Sequence, residues 1–161
     1  MTDFHNSHLI TFSFETENLE KSLKAYVKKQ ADVEIFIAIL GTISGQEKNR
    51  INYEITKFLP FPNLSKTPRL TVTPPDNWEK ILEETLKLEG LRFLGFIHSH
   101  PGEISQRSPA DTDYSLYLSN QYGAILMGII GKNTTIRMYQ VADNKISLIN
   151  GSSKFFKIRT K

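Results

Sequence analysis

The chain has 161 residues, 39% hydrophobic and 23% charged, with a formal net charge of +3. That size and balance predict one soluble globular domain with a core of its own, and the absence of cysteine excludes disulfides and thiolate metal ligands. Three net charges are too few to argue for nucleic acid, and no apolar run reaches the roughly 18 residues of a membrane span. Residues 1–7 lack the basic and apolar stretches of a signal peptide, so a cytoplasmic protein is expected.

Leu9–Phe14 alternates and reads as a first strand. Glu17–Val27 follows as an amphipathic helix with Leu19, Leu23, Tyr26 and Val27 on one face. His5 and His8 precede the first strand, where a solvated role is expected. The apolar run Val33–Leu40 suits a strand buried on both faces, and Glu34 is the one charge in it. Two readings of Glu34 stand at this point: an exposed strand end with no role, or a buried carboxylate that needs a partner.

Gly41–Asn49 reads as a polar hairpin loop and Ile51–Ile55 as a half-buried strand with Glu54 on its other face. Leu59–Pro75, rich in Pro, Ser and Thr, reads as a surface loop. Asp76 then opens a helix whose apolar face holds Trp78, Ile81, Leu82, Thr85, Leu86 and Leu88, with Gly90 as its stop. Further along, Pro109–Gln121 reads as a helix with Ala110, Tyr114, Tyr117, Leu118 and Gln121 on one side. Strands are expected over Gly123–Ile130, Thr134–Val141 and Lys145–Ile149. The basic segment 150–161, with Phe155 and Phe156, forms a tail to a core spanning about 8–149.

The chemistry gathers between Phe96 and Asp113. Leu91, Phe93, Leu94, Phe96 and Ile97 are bulky and apolar, which favours a strand. Alternate residues of a strand share a face, so His98 and His100 project together, about 6–7 Å apart, while Ser99 points the other way. Pro101 ends the ladder because it has no N–H. Ser108-Pro109 reads as an N-cap and first helical residue, which puts Asp111 in the first turn. Two imidazoles and one carboxylate suit Zn²⁺ with the fourth position left to water. Taken singly, His-x-His is a common pair and Ser-Pro-x-Asp an ordinary capped helix start, so the combination carries the reading.

His98-Ser99-His100-Pro101, seven residues counted after His100, and Ser108-Pro109-Ala110-Asp111 together resemble the metal-binding signature of the JAMM/MPN+ metalloproteases. Glu34–Gly41 is similar to the glutamate-led apolar strand of that family, Tyr53–Asn63 to the strand and turn that follow, and Asp76–Gly90 to the helix before the metal strand. The resemblance covers roughly residues 8 to 142 and is nearest to the proteasome-lid deubiquitinases and their archaeal relatives. The chain departs from the pattern at Ile37, where a small residue is common, and in Gly102–Arg107, which lacks aromatic residues.

The resemblance implies a single α/β MPN domain over 1–161, a mixed curved sheet flanked by helices in a cytidine-deaminase-like architecture. It implies Zn²⁺ on His98, His100 and Asp111, Glu34 as general base, and Ser108 as a hydrogen-bond donor to the oxygen of the tetrahedral intermediate. The expected reaction is hydrolysis of the amide bond after the C-terminal Gly-Gly of ubiquitin or a ubiquitin-like protein. Its partners would be the modifier and its conjugates, with proteasome or other complex subunits, and no nucleic acid or membrane. Two alternatives stand beside it: a hydrolase acting on a small sulfur-carrier-type protein adduct, and a scaffold subunit without catalysis.

Overall fold

Phe36 sits opposite His98 on one neighbouring strand and Phe61 on the other, and the sheet grows outward from this triple. The computed structural model describes residues 9–30, 32–45, 50–67, 72–100, 109–131 and 134–149. Among them the strands are β1 (Leu9–Phe14), β2 (Phe36–Ser44), β3 (Arg50–Phe61), β4 (Arg92–Ser99), β5 (Ile125–Ile130), β6 (Ile136–Ala142) and β7 (Lys145–Ile149). The helices are α1 (Glu17–Lys29), α2 (Trp78–Glu89) and α3 (Pro109–Tyr122). The strands form one mixed sheet in the order β1-β3-β2-β4-β5-β6-β7. β1 runs parallel to β3 and β4 to β5; every other neighbour is antiparallel.

The sheet is apolar on both faces, as its central sequences require. One face packs Phe12, Phe14, Ile37, Ile39, Tyr53 and Ile97 against Leu23 and Val27 of α1. The other packs Phe36, Ala38, Leu40, Phe96 and Met127 against Trp78 and Leu82 of α2 and Leu118 of α3. The result is a three-layer α/β arrangement. No helix among the described residues is long and apolar enough to cross a membrane.

Several expected bounds shift, each for a physical reason. β2 begins at Phe36 rather than Val33 and runs past Gly41 to Ser44. β3 extends through Pro60 to Phe61, into the stretch expected as loop. Proline is tolerated there because β1 pairs β3 only over Arg50–Ile55, so at Pro60 the strand has β2 alone beside it. The buried side of α3 is Ser115, Leu118 and Ser119, whereas Tyr117 is 56% exposed and Gln121 is exposed. Small serines let α3 lie close to the sheet, and their hydroxyls are satisfied by donating to Thr112 and Leu116 carbonyls of the same helix.

Local signals behave as their chemistry dictates elsewhere. Thr16 caps α1 by accepting from Leu19 N–H at 3.1 Å, and Gly90 ends α2 in the left-handed region at φ 67°. Asp143 and Asn144 both take positive φ in the two-residue turn between β6 and β7, the backbone that a tight hairpin demands.

Candidate metal centre

β4 carries His98 on the Phe36 and Phe96 side of the sheet, and His98 is 2% exposed. Phe96 stacks on its ring at a centroid distance of 5.9 Å, and Tyr114 of α3 meets Phe96 edge-on at 5.7 Å. His100 follows one pleat later, held by its own N–H donating to the Ile130 carbonyl at 3.0 Å. The two imidazoles lie 5.0 Å apart between centroids. α3 then starts beside the carboxyl end of β4, the end at which open α/β sheets place their ligands, and its first turn supplies Asp111.

The Asp111 carboxylate spans both rings. Oδ1 lies 3.1 Å from His98 Nε2 and Oδ2 lies 3.3 Å from His100 Nε2. Glu34 approaches from the chain just ahead of β2, with Oε1 4.0 Å from His98 Nδ1. Ligand atoms of Glu34, His98 and His100 all fall within 4.8 Å of one another, a group that can hold a metal ion.

Electrostatics point the same way. Both ring nitrogens of His98 are buried with no hydrogen-bond partner among the described residues, the 3.1 Å contact to Asp111 not being a hydrogen bond. An imidazole buried this way is costly unless a lone pair has another acceptor for it, and a cation is one. Burial pushes the His98 pKa down to about 4, with Asp111 opposing that and His100 adding to it. Burial pushes Glu34 up to about 7; His100 pulls it back and Asp111 raises it further. Two carboxylates beside His98, whose ring resists protonation, leave the cluster short of positive charge, which a bound cation would supply.

Of the residues read as functional in the sequence, the structure brings together Glu34, His98, His100 and Asp111. Ser108 lies outside the described residues, as do His5, His8 and the segment 150–161. Glu54 of β3 pairs with Thr42, six residues along β2 from Phe36 and thus about 20 Å from the cluster, too far to act as its base. It lines a separate open groove with Glu15, Thr42, Thr56, Lys57 and Glu89. Two residues without an assigned role in the sequence contribute here: Ser99, a hydroxyl between the histidines on the opposite face of β4, and Asn63, two residues past the end of β3. For Asn63 the available signal is a polar side chain between Pro62 and Leu64; for Ser99 it is only the place between two histidines.

No family model matches the chain, and no curated protein is similar to it in sequence. Among solved structures it is similar to the solution structure of protein DSY2949 from Desulfitobacterium hafniense, a structural-genomics target. The TM-score is 0.66 at 14% sequence identity, over 91% of this chain and 96% of that one. At that identity the likeness speaks for the shared fold alone.

Proposed function

We propose that the chain is a zinc-dependent isopeptidase of the JAMM/MPN+ type, acting after the C-terminal Gly-Gly of ubiquitin or a ubiquitin-like protein. The carrying observation is the convergence of His98, His100 and Asp111 with Glu34 beside them. Donors around a four-coordinate zinc, with bonds of about 2.0–2.1 Å, stand roughly 3.3–3.4 Å from each other. Asp111 comes that near to each Nε2 atom through a different oxygen, Oδ1 at 3.1 Å from His98 and Oδ2 at 3.3 Å from His100, which puts its carboxylate within reach of an ion shared with both rings. Glu34 Oε1 stands 4.0 Å from His98 Nδ1, near enough to share an ion with the two rings, and by the family resemblance it serves as base rather than ligand.

When bound, the ion supplies Lewis acidity and lowers the pKa of water. The chain's own residues do the rest. His98, His100 and Asp111 would hold the ion at the end of β4. Glu34 takes the proton of the attacking water on a carboxylate oxygen and returns it to the leaving amine. Ser108, by the family resemblance, donates a hydrogen bond to the carbonyl oxygen as it gains charge. Phe96 backs the His98 ring, and Tyr114 packs edge-on against Phe96 behind it.

The test is incubation of zinc-loaded protein with ubiquitin and ubiquitin-like proteins fused through Gly-Gly to a reporter, with and without chelator. Chelator-sensitive cleavage after Gly-Gly supports the proposal. Cleavage restricted to small sulfur-carrier-type adducts redirects it to that substrate class. A protein that binds no zinc and cleaves nothing is a scaffold.

A further inference from the structure

The backbone that presents Glu34 is held by side chains rather than by the sheet. Ile35 and Ser99 are the next opposite pair beyond Phe36 and His98. A regular antiparallel pair of this kind exchanges two backbone hydrogen bonds. Here only one is a backbone bond, Ser99 N–H to the Ile35 carbonyl at 3.3 Å. The Ile35 N–H instead donates to the Ser99 hydroxyl at 3.0 Å, and that hydroxyl donates to the Val33 carbonyl at 3.4 Å. Between these two anchors sits Glu34, whose own carbonyl accepts from Asn63 Nδ2 at 2.8 Å. Asn63 is fixed in turn, since its Oδ1 accepts from the Ser65 and Thr73 N–H groups, each at 3.0 Å.

We infer that Ser99 and Asn63 are positioning residues for the general base, setting where the Glu34 carboxylate stands relative to the two histidines. The inference rests on the hydrolase reading above and goes beyond the metal signature. Ser99 is 4% exposed and lies between the two histidines on the opposite face of β4. One short stretch of strand therefore carries two imidazoles on one side and the tether of the base on the other. Any shift of β4 moves the imidazoles and Glu34 together, which preserves their spacing. A misplacement of about 1 Å at a reacting group costs on the order of 100-fold in rate, so the tether matters to turnover even though it touches no substrate.

The experiment uses the full chain, ubiquitin bearing a C-terminal fluorogenic amide, and the variants Ser99→Ala, Ser99→Thr and Asn63→Ala, each alone and Ser99→Ala also combined with Glu34→Gln. Expected for Ser99→Ala and Asn63→Ala is a fall in kcat of about 10- to 100-fold with KM little changed. Zinc affinity and the visible spectrum of the cobalt-loaded protein stay as in the parent, because the imidazoles and Asp111 are untouched. Hydrogen exchange at the Ile35 amide accelerates in Ser99→Ala. Ser99→Thr, which keeps the hydroxyl, restores kcat and Ile35 protection. In the Glu34→Gln background Ser99→Ala brings no further loss, as expected of a residue acting through Glu34.

Loss of zinc affinity in parallel with kcat, or an equal additional loss on top of Glu34→Gln, overturns the inference in favour of a role through the ligands or the fold. Unchanged kcat in both alanine variants also overturns it. Should Ser99→Thr prove too bulky to fold, Asn63→Ala still tests the tether from the other side of Glu34. A parent protein that cleaves neither this amide nor any of the Gly-Gly fusions and sulfur-carrier adducts named above sinks the hydrolase reading, and the base-positioning role with it. The Ser99 tether itself is judged separately by exchange at Ile35.

Discussion

Asp111 Oδ1 lies 3.1 Å from His98 Nε2, a contact between the first turn of α3 and the end of β4 that is not a hydrogen bond. Both side chains are proposed ligands of one ion. Removing either should therefore abolish stoichiometric zinc. Outer-shell changes at metal sites cost about 10- to 100-fold in affinity, and loss of a ligand should exceed that. His98→Ala and Asp111→Ala, measured by metal content after dialysis and by calorimetric titration, are expected to bind at least that much more weakly. Parent-like zinc content in both variants would remove the cluster as a metal site.

Glu34→Gln separates binding from chemistry. The substitution keeps the shape and removes the proton acceptor. General-base catalysis contributes roughly 10²- to 10⁴-fold, so turnover should drop by that much while zinc stoichiometry holds. Steady-state kinetics on a Gly-Gly-linked substrate, with metal content measured on the same samples, reads both. Unchanged turnover excludes Glu34 as the base.

The site is legible in the sequence because its parts are local. Strand parity puts His98 and His100 on one side, and Ser108-Pro109 marks a helix start whatever packs around it, so Asp111 falls in a first turn. Less legible is Glu34, which reads as part of a strand that begins only at Phe36. A hydroxyl far along the chain, on Ser99, takes over the Ile35 N–H, and no local pattern announces that. The buried side of α3 escapes the sequence for a related reason. Counting apolar residues favours Tyr117, yet close approach to the sheet selects Ser115 and Ser119, whose hydroxyls bond within the helix. Glu20 on α1 stands outside that helix's apolar set and is nonetheless buried, with Lys24 Nζ 3.2 Å from its carboxylate.

Two glycines hold the middle of the sheet to its shape. The pairing of β2 shifts register against β3 between Leu40 and Gly41 and against β4 between Ile39 and Leu40. A Cβ on Gly41 would stand 1.9 Å from the Glu54 carbonyl oxygen, and one on Gly95 would stand 1.9 Å from that of Leu126, with φ +145°. Both obstacles are backbone and cannot rotate away. Gly41→Ala and Gly95→Ala should lose stability at or above the roughly 1–3 kcal/mol of ordinary overpacking. Gly123, at φ +84°, has open space where a Cβ would stand, with nothing within 4 Å. Gly123→Ala should therefore lose only the about 1–2 kcal/mol of left-handed backbone. Urea midpoints at constant m-value rank the three, and Gly123→Ala as damaging as the other two would refute the steric account.

The α2–α3 contact should make itself felt at high pH. Tyr122 donates its hydroxyl to Glu79 at 2.6 Å, and Gln121 donates to the same carboxylate oxygen at 3.0 Å. Burial, and then that bond to a negative charge, holds the Tyr122 hydroxyl well above the ordinary tyrosine range. Burial and then Glu79 push neighbouring Tyr114 up to about 12. A tyrosine whose pKa is raised on folding stabilises the fold fully below its unfolded value, about 10. That contribution is lost as pH rises through the folded value, because the unfolded chain gives up the proton first. Stability should therefore fall as pH climbs from about 10 toward 12. In Glu79→Gln the charge is gone, both hydroxyls ionise earlier, and the fall should be shallower. Ultraviolet absorbance of tyrosinate reports the ionisation, and urea midpoints over the same pH range report the stability. A variant whose tyrosines titrate as late as the parent's would show that burial alone sets them and that Glu79 does not.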